Sequence, residues 1–260
     1  MRPLVRVRRA TPFDPGFLRR SRLLWPLERA AARLGALDDF PAAAALDRVF
    51  EGDAPVRFVT AVPRGRRRTA VDAASLYDGR ITLERAVPTR ARCWHDLMNA
   101  LVWGTFPAAK RALHARQHHA IAARLAPGAR VLPPTRTAEL DALALVDEGG
   151  VLVSADDPAA MRAALRAGPG ALRAAIIAGR ADAIVFGHAI FESLVLGVSP
   201  AAVAATLLPR EATLDESLRR IDVALATALG DPALFQTPGE LCRVELGEAE
   251  PPTRRPAAIA

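Results

Sequence analysis

The sequence predicts a helix-rich α+β fold: a single domain with short antiparallel hairpins. Hydrophobic residues make up 51% of the 260 residues and aromatic residues only 5%, and Ala, Leu and Arg dominate, as is typical of helical globular proteins. Long segments with helical spacing of apolar residues alternate with short apolar runs bounded by turn residues. A chain of this length can bury a core without disulfides or a structural metal.

The N-terminal third of the chain predicts two helical segments and the start of a small sheet. Residues 16–37 and 41–50 place Leu and other apolar residues at helical spacing. Residues 56–62 alternate as a strand does. Residues 76–83 carry Asp78-Gly79 at their centre, which is a favoured two-residue hairpin turn. We therefore expect a hairpin there.

The middle of the chain predicts two helices joined by a sharp turn. The first covers residues 90–103. The segment Gly104–Pro107 should stop or kink it before a second helix reaches residue 125. This turn decides whether polar residues of the two helices meet.

The C-terminal half predicts a second hairpin and three helices. Residues 143–146 and 151–154 form the hairpin around the turn Asp147–Gly150. The Asp-Asp-Pro run at 156–158 predicts a helix start, because Asp is a good N-cap and Pro suits the first helical position. Further helices are expected at residues 171–197, with a break at Gly179, and at residues 214–229.

Both ends of the chain are predicted to lie outside the folded domain. Residues 1–15 form an Arg- and Pro-rich arm expected to be flexible, and residues 248–260 form a tail expected to be disordered, since neither shows apolar periodicity. The single globular domain should therefore cover residues 16–247.

The net charge of +7 is concentrated in the N-terminal arm. Residues 1–22 hold seven Arg against one acid, Asp14, and Arg64 and Arg66–Arg68 form a second basic run. Nucleic acid is therefore a candidate partner, reached through the arm rather than through a groove of the fold.

The chain is expected to be cytoplasmic. No apolar stretch of about 18 residues occurs, and Arg interrupts every apolar run near the N-terminus, so neither a membrane span nor a signal peptide is predicted. Cys93 and Cys242 form no metal or disulfide motif, which suits a reducing compartment. We expect no membrane partner.

Scarce polar residues gather in residues 95–119. This segment holds four of the five His, the only Asn and the only Lys of the chain. His95, Asn99, Lys110 and Gln117 share one stripe at 100° per residue. They can serve one site only if the chain turns at residues 104–107. We expect specific polar chemistry here.

A second polar pair interrupts an apolar helix. His188 and Glu192 stand at i and i+4 and share one face. A carboxylate buried there needs a partner, either a metal shared with His95 or a cation such as Lys110. The small residues Gly187 and Ala189 would let another helix come close.

These two groups suggest a divalent metal held by His95, His188 and Glu192. Two imidazoles and one carboxylate leave coordination positions open for water. Asp96 and Asn99 would lie nearby.

Two alternatives to the metal site stay open. In the first, His95, Asn99 and Glu192 form a satisfied hydrogen-bond network with a purely structural role. In the second, Arg90, Lys110 and the histidines bind a small anionic ligand without a metal.

Familiar catalytic motifs are absent. The sequence lacks HExxH, GxSxG and the P-loop pattern, and no His precedes the His95-Asp96 pair as an HD phosphohydrolase requires.

Three blocks resemble a bacterial family known as Domain of Unknown Function 3025. The first block reads WHDLMNALVWGTFPAAK and is preceded by Pro88-Thr89-Arg90. Its matching positions are Trp94, His95, Asp96, Asn99, Ala100, Val102, Trp103, Phe106, Pro107 and Lys110. The others are Asp147–Gly150 and the residues Phe186, Gly187, His188 and Glu192. The resemblance spans roughly residues 40–210 and implies no activity, because the family has none established.

The expected function is a hydrolase-like enzyme with a polar pocket between two helices. The catalytic candidates are His95, Asp96, Lys110 and Glu192. The ligand-binding candidates are Arg90, Asn99 and Gln117. The alternative is a non-enzymatic binder of an anionic small molecule or nucleic acid.

Overall fold

Helices pack around one four-stranded mixed sheet and one two-stranded parallel sheet. The computed structural model describes residues 11–62, 72–126, 128–129, 131–209 and 214–246. Within them the predicted helix-rich α+β class is confirmed. The α-helices are α1 (Glu28–Leu34), α2 (Tyr77–Glu84), α3 (Trp94–Thr105), α4 (Pro107–Ala122), α5 (Ala138–Gly149), α6 (Pro158–Ala167), α7 (Ala171–Ile177), α8 (His188–Val195) and α9 (Leu214–Gly230).

The strands belong to two separate sheets. They are β1 (Arg57–Thr60), β2 (Ala86–Thr89), β3 (Gly150–Ala155), β4 (Ala181–Val185), β5 (Ala202–Pro209) and β6 (Cys242–Val244). The pair β1–β2 is parallel, and the larger sheet has the order β4-β3-β5-β6. In that sheet β3 runs parallel to β5, while β4 and β6 are antiparallel to their neighbours.

No hairpin occurs among the described residues, so the predicted hairpins are wrong. The segment around Asp78-Gly79 is helix α2. Gly79 is needed for close packing rather than for a turn, because a Cβ there would lie 2.2 Å from the carbonyl oxygen of Ala73. A glycine next to an aspartate therefore marks a tight contact between the short 3₁₀ helix Ala73–Ser75 and α2.

The second predicted hairpin is a helix followed by a strand. Thr137 caps α5 by accepting a hydrogen bond from the Leu140 amide at 3.1 Å. Leu140, Leu143 and Val146 then follow at helical spacing and are buried. A short apolar run does not distinguish strand from helix, and the cap decides it here. The acidic turn thus becomes the last turn of α5.

The region predicted to be helical at residues 171–197 contains three elements in the structure. The predicted break at Gly179 is confirmed, with a φ of +67°. The chain then forms the buried strand β4 and helix α8. The start at Asp157 is also confirmed, because its side chain accepts hydrogen bonds from the amides of Ala159 and Ala160. Strands β5 and β6 were not predicted.

The N-terminal segments are mostly 3₁₀ helix. They are Phe17–Arg19, Arg22–Leu27 and Ala43–Val49, and among the described residues before 77 only α1 is α-helical. Packing begins earlier than the predicted boundary at residue 16, because the Phe13 ring stacks on Trp94 at 5.3 Å between centroids. Residues 1–10 and 247–260 lie outside the described residues.

The predicted turn between the two central helices is confirmed at Phe106. Its backbone angles (φ −127°, ψ 58°) separate α3 from α4. Trp103 and Phe106 are fully buried there and anchor both helices in the core. None of the described helices is long and apolar enough to span a lipid bilayer.

Candidate functional site

The ends of four helices meet at one polar cavity of about 730 Å³. The first residues of α2, α3 and α8 face the last turn of α5 across it. The polar residues that line it are Ser75, Tyr77, Arg80, Arg90, His95, Asp96, Asn99, Asp147, Glu148 and His188. Most of the predicted polar residues therefore come together in one place.

His95 lies between a carboxylate and a second imidazole. Its Nδ1 atom is 3.0 Å from Glu192 Oε2, and its Nε2 atom is 3.0 Å from His188 Nε2. Because a carboxylate only accepts hydrogen bonds, Nδ1 must carry the hydrogen. The predicted proximity of α3 and α8 is confirmed at this contact.

His188 has the same arrangement in a more buried setting. The residue is 3% exposed, and its Nδ1 lies 3.6 Å from Asp147 Oδ1. That separation is longer than a hydrogen bond, and no described residue offers Nδ1 another hydrogen-bond partner. Each imidazole thus faces a carboxylate with Nδ1 and the other imidazole with Nε2.

Glu148 supplies a carboxylate on the Nε2 side. Its Oε2 atom lies 3.4 Å from His188 Nε2, and its side chain is 48% exposed. Gly187 makes this proximity possible, since a Cβ there would lie 2.5 Å from the Glu148 carbonyl oxygen. The predicted close approach at Gly187 is confirmed, although the partner is the end of α5.

His95, His188 and Glu148 each place a ligand atom within 4.8 Å of the other two. Two nitrogens 3.0 Å apart can both lie about 2.1 Å from one ion, with an angle of roughly 90° at the ion. These residues can hold a divalent metal.

The charges around His95 favour positive charge at the same point. Burial lowers the pKa of His95, but the hydrogen bond to Glu192 and the charges of Glu148, Glu192 and Asp96 outweigh it, so that the pKa is raised overall. The cluster stabilises a cation, whether a proton on an imidazole or a metal ion.

Glu192 has a different place from the predicted one. The structure sets it against Nδ1 of His95, behind the imidazole rather than beside the two Nε2 atoms. In this position a carboxylate orients a metal-binding histidine and does not bind the ion itself. The third residue of the cluster that could hold a metal is Glu148 instead.

Asp96, a predicted catalytic residue, forms an ion pair with Arg90. Its oxygens accept from Nε and Nη2 of Arg90 and from the Arg90 amide. This bidentate pair raises the pKa of Arg90, mainly through the hydrogen bond. Arg90, a predicted ligand-binding residue, still lines the cavity and is largely exposed.

Lys110, also predicted to be catalytic, lies beneath the cavity and not in it. It is fully buried, and its Nζ donates to Asp147 Oδ1 at 2.6 Å. Burial would raise the pKa of Asp147, but the charges of Lys110 and His188 hold it well below the ordinary value. Lys110 thus keeps Asp147 ionised beside His188.

Asn99 lines the cavity one helical turn after His95. Its Nδ2 donates to the Tyr77 hydroxyl at 3.2 Å, while Oδ1 is buried and has no partner among the described residues. Gln117, the other predicted ligand-binding amide, is buried in α4 and does not reach the cavity. It lies seven residues beyond Lys110, about 10 Å farther along the helix axis.

Behind the cavity lies a second buried histidine. His114 faces Asp78 Oδ1 at 2.8 Å through Nδ1, and its ring stacks on Trp103. Burial first, and then the charge of Lys110, lower its pKa. This pair links α2 to α4 and supports Tyr77, whose ring meets that of His114 edge-on.

The sequence did not single out Glu148 or Tyr77 as site residues. The acids at 147–148 follow the apolar run Ala142–Val146, as Glu192 follows an apolar run in α8. A carboxylate in an apolar helix needs a partner. This argument, made for Glu192, also holds for Asp147 and Glu148 once their segment is known to be a helix. Nothing local marks Tyr77, because it comes near the site through tertiary packing.

Fold and site together define a helix-rich α+β protein with a two-histidine, one-carboxylate cluster at a polar cavity. The chain belongs to the family described as "Protein of unknown function (DUF3025)", whose family model matches residues 62–246. The match begins later and extends further than the resemblance in the sequence suggested. No curated protein and no solved structure matches the chain.

Proposed function

We propose that the protein is a metal-dependent hydrolase in which His95, His188 and Glu148 hold a divalent ion. The observation that carries the proposal is the 3.0 Å separation of two Nε2 atoms whose rings both face carboxylates through Nδ1. The hydrogen bond to Glu192 leaves Nε2 of His95 as an acceptor. When His188 also carries its hydrogen on Nδ1, toward Asp147, the two Nε2 lone pairs face each other, which is unfavourable unless a cation lies between them.

The donor set favours zinc, with other first-row divalent ions as candidates. Imidazole nitrogen and carboxylate oxygen suit zinc, and two His with one Glu is a ligand set of catalytic zinc sites. Glu192 and Asp147 on the Nδ1 atoms match the supporting carboxylates that such histidines usually have.

Hydrolysis fits the position of the cluster at the cavity. Three protein ligands leave coordination open, and the cluster faces a cavity large enough for a small organic molecule. A divalent ion at such a site lowers the pKa of bound water and polarises a carbonyl or phosphoryl oxygen. Water is the only co-reactant required.

The competing alternative, an anion pocket without a metal, has less support. Arg80 and Arg90 line the cavity, but Glu84 and Asp96 neutralise them. The purely structural network is also weaker, because His95 and Glu192 are each more than a quarter exposed and Asn99 binds Tyr77 instead. The nucleic-acid alternative depends on the N-terminal arm, and residues 1–10 of that arm lie outside the described residues.

The test is metal binding by the full-length protein without a His-tag. We expect elemental analysis to find about one zinc or similar ion per chain, and competition titration to show at least 100-fold weaker zinc binding in His95→Ala. His119→Ala is the matched control, because His119 is exposed on α4 and does not line the cavity. Equal zinc affinity of the two variants would overturn the proposal.

Activity forms the second part of the test. The zinc-loaded protein is assayed on a panel of nitrophenyl esters, anilides and phosphate esters, with and without a chelator. We expect turnover that the chelator abolishes and zinc restores. Turnover that survives complete metal removal would contradict a metal-dependent hydrolase.

We also place the protein in the cytoplasm. Both cysteines, Cys93 and Cys242, are free thiols, as expected in a reducing compartment. Fractionation of the native host should recover the protein with cytoplasmic markers, and recovery in an exported fraction would oppose this assignment.

A further inference from the structure

Tyr77 and Asn99 form a polar pair inside the cavity that the metal cluster does not use. Asn99 follows His95 by four residues on α3, so both lie on the same helix face, about 6 Å apart at Cβ. Tyr77 is the first residue of α2 and contacts Asn99 through its hydroxyl. The pair therefore lies one helical turn from the cluster.

Each member of the pair has an unused hydrogen-bonding group. The Tyr77 oxygen accepts from Asn99 Nδ2 at 3.2 Å, which leaves the hydroxyl hydrogen without an acceptor among the described residues. Asn99 is 6% exposed, and its Oδ1 is buried with no hydrogen-bond partner in the part of the chain that the structure describes. Unsatisfied buried polar atoms cost folding free energy and call for an explanation.

The free donor, the hydroxyl of Tyr77, and the free acceptor, Oδ1 of Asn99, lie side by side. Burial, and then the charges of Asp147 and Asp96, raise the pKa of Tyr77, so its hydroxyl stays a donor at neutral pH. A carboxamide presents a carbonyl oxygen and an N–H group next to each other. An ester has the carbonyl oxygen but no N–H, so it would leave Asn99 Oδ1 unsatisfied.

The charge of the cavity also favours an uncharged ligand. Arg80, Arg90 and Asp147 each have an ion-pair partner. The two carboxylates nearest the cluster, Glu148 and Glu192, would balance a divalent ion. A phosphate dianion would meet no net positive charge there.

We infer that Tyr77 and Asn99 are a recognition subsite for a carboxamide group of the substrate. This inference rests on the proposed function for the reaction, but the subsite itself needs no metal. Tyr77 would donate to the carbonyl oxygen, and Asn99 Oδ1 would accept from the N–H. The substrate class is thus an uncharged amide rather than a phosphate ester or a simple ester.

The test compares benzamide with methyl benzoate as probes of the full-length protein. Binding is followed by NMR titration, with zinc and in the presence of a chelator. We expect benzamide to bind about tenfold more tightly than methyl benzoate, the ratio expected from one additional hydrogen bond. The preference should persist without zinc.

Variants assign the preference to the pair. Tyr77→Phe keeps the ring packed on His114 and removes only the hydroxyl, so it should fold and bind benzamide several-fold more weakly. Asn99→Leu should abolish the preference over methyl benzoate. His119→Ala, which alters an exposed residue of α4 outside the cavity, is the control and should change neither affinity.

The outcomes separate the two proposals. Equal affinities of benzamide and methyl benzoate, or a Tyr77→Phe variant that binds benzamide as the wild type does, would overturn the subsite even if zinc binds. If zinc fails to bind while the benzamide preference persists, the metal-dependent function fails and the subsite stands. Tighter binding of inorganic phosphate than of benzamide would contradict the uncharged-amide class.

Discussion

The Nε2 atoms of His95 and His188 lie 3.0 Å apart at the ends of two helices that are 93 residues apart in sequence. Their Nδ1 atoms face Glu192 and Asp147. This symmetrical pattern of carboxylate, imidazole, imidazole and carboxylate is the central feature of the molecule. It brings two imidazole nitrogens to one point, with Glu148 beside them.

Replacement of Glu192 by Gln tests the supporting role of this carboxylate. We expect zinc affinity to fall about 10- to 100-fold, because His95 loses the group that fixes its tautomer and orientation. The free energy of unfolding should change by less than about 1 kcal/mol, since both partners are more than a quarter exposed. Competition titration and urea unfolding measure the two effects.

Glu139→Gln is the matched control for Glu192→Gln. Glu139 is 28% exposed and pairs with Arg116 at 2.7 Å, away from the cavity. It should leave zinc affinity unchanged. Loss of stability in Glu192→Gln by several kcal/mol, with unchanged zinc affinity, would instead show a structural ion pair.

The sequence predicted part of this site correctly. Polar pairs at i and i+4 in apolar helices indicated that α3 and α8 meet through His95, His188 and Glu192, and they do. It could not show that Arg90 folds back onto Asp96, since that contact depends on the irregular chain before α3. It also missed Glu148, because the segment before it was interpreted as a strand.

Gly187→Ala tests the close contact that brings Glu148 to His188. A Cβ at position 187 would lie 2.5 Å from the Glu148 carbonyl oxygen, so the two backbones must separate. We expect a loss of about 1–3 kcal/mol in stability and weaker zinc binding. Gly170→Ala is the control, because a Cβ there meets nothing within 4 Å. Equal stability of both variants would contradict the contact.

Lys110→Met tests the buried ion pair beneath the cavity. Removal of the cation leaves Asp147 ionised and uncompensated in a buried position, and we expect a loss of about 3–5 kcal/mol in urea unfolding. The double variant with Asp147→Asn should recover part of this loss. Arg111→Met, an exposed neighbour, should change stability by less than about 0.5 kcal/mol. A small effect of Lys110→Met would show that the pair adds little.

Asp222 gives the fold a pH dependence. Its carboxylate accepts hydrogen bonds from the Ala108 and Ala109 amides at the start of α4. Burial raises its pKa from 3.8 to about 6, although these amides oppose the shift. Because the folded pKa exceeds the unfolded value, its contribution to stability is complete below about pH 4 and is lost as pH rises through about 6.

Unfolding of the Asp222→Asn variant and of the wild type, compared between about pH 4 and pH 7, tests the direction of this pH dependence. The variant cannot ionise, so the stability advantage of the wild type should be largest near pH 4 and should shrink toward pH 7. An advantage that grows with pH would mean that the helix amides dominate and that the pKa of Asp222 is lowered.

The fold class was predictable and the strand pairing was not. Composition and long helical patterns at 107–122 and 214–230 indicated a helix-rich protein. Strand β5 was not predicted because its residues, AVAATLLP, suit helix and strand alike. Only pairing with β3 decides between the two. Long-range pairing of this kind leaves no local pattern.

The most direct measurement is an anomalous-scattering map at the zinc absorption edge, from crystals of the full-length protein grown with zinc. We expect one strong peak per chain, about 2.0–2.2 Å from His95 Nε2, His188 Nε2 and a Glu148 carboxylate oxygen. Zinc-containing crystals without a peak at this position, or with zinc bound only elsewhere, would contradict the account.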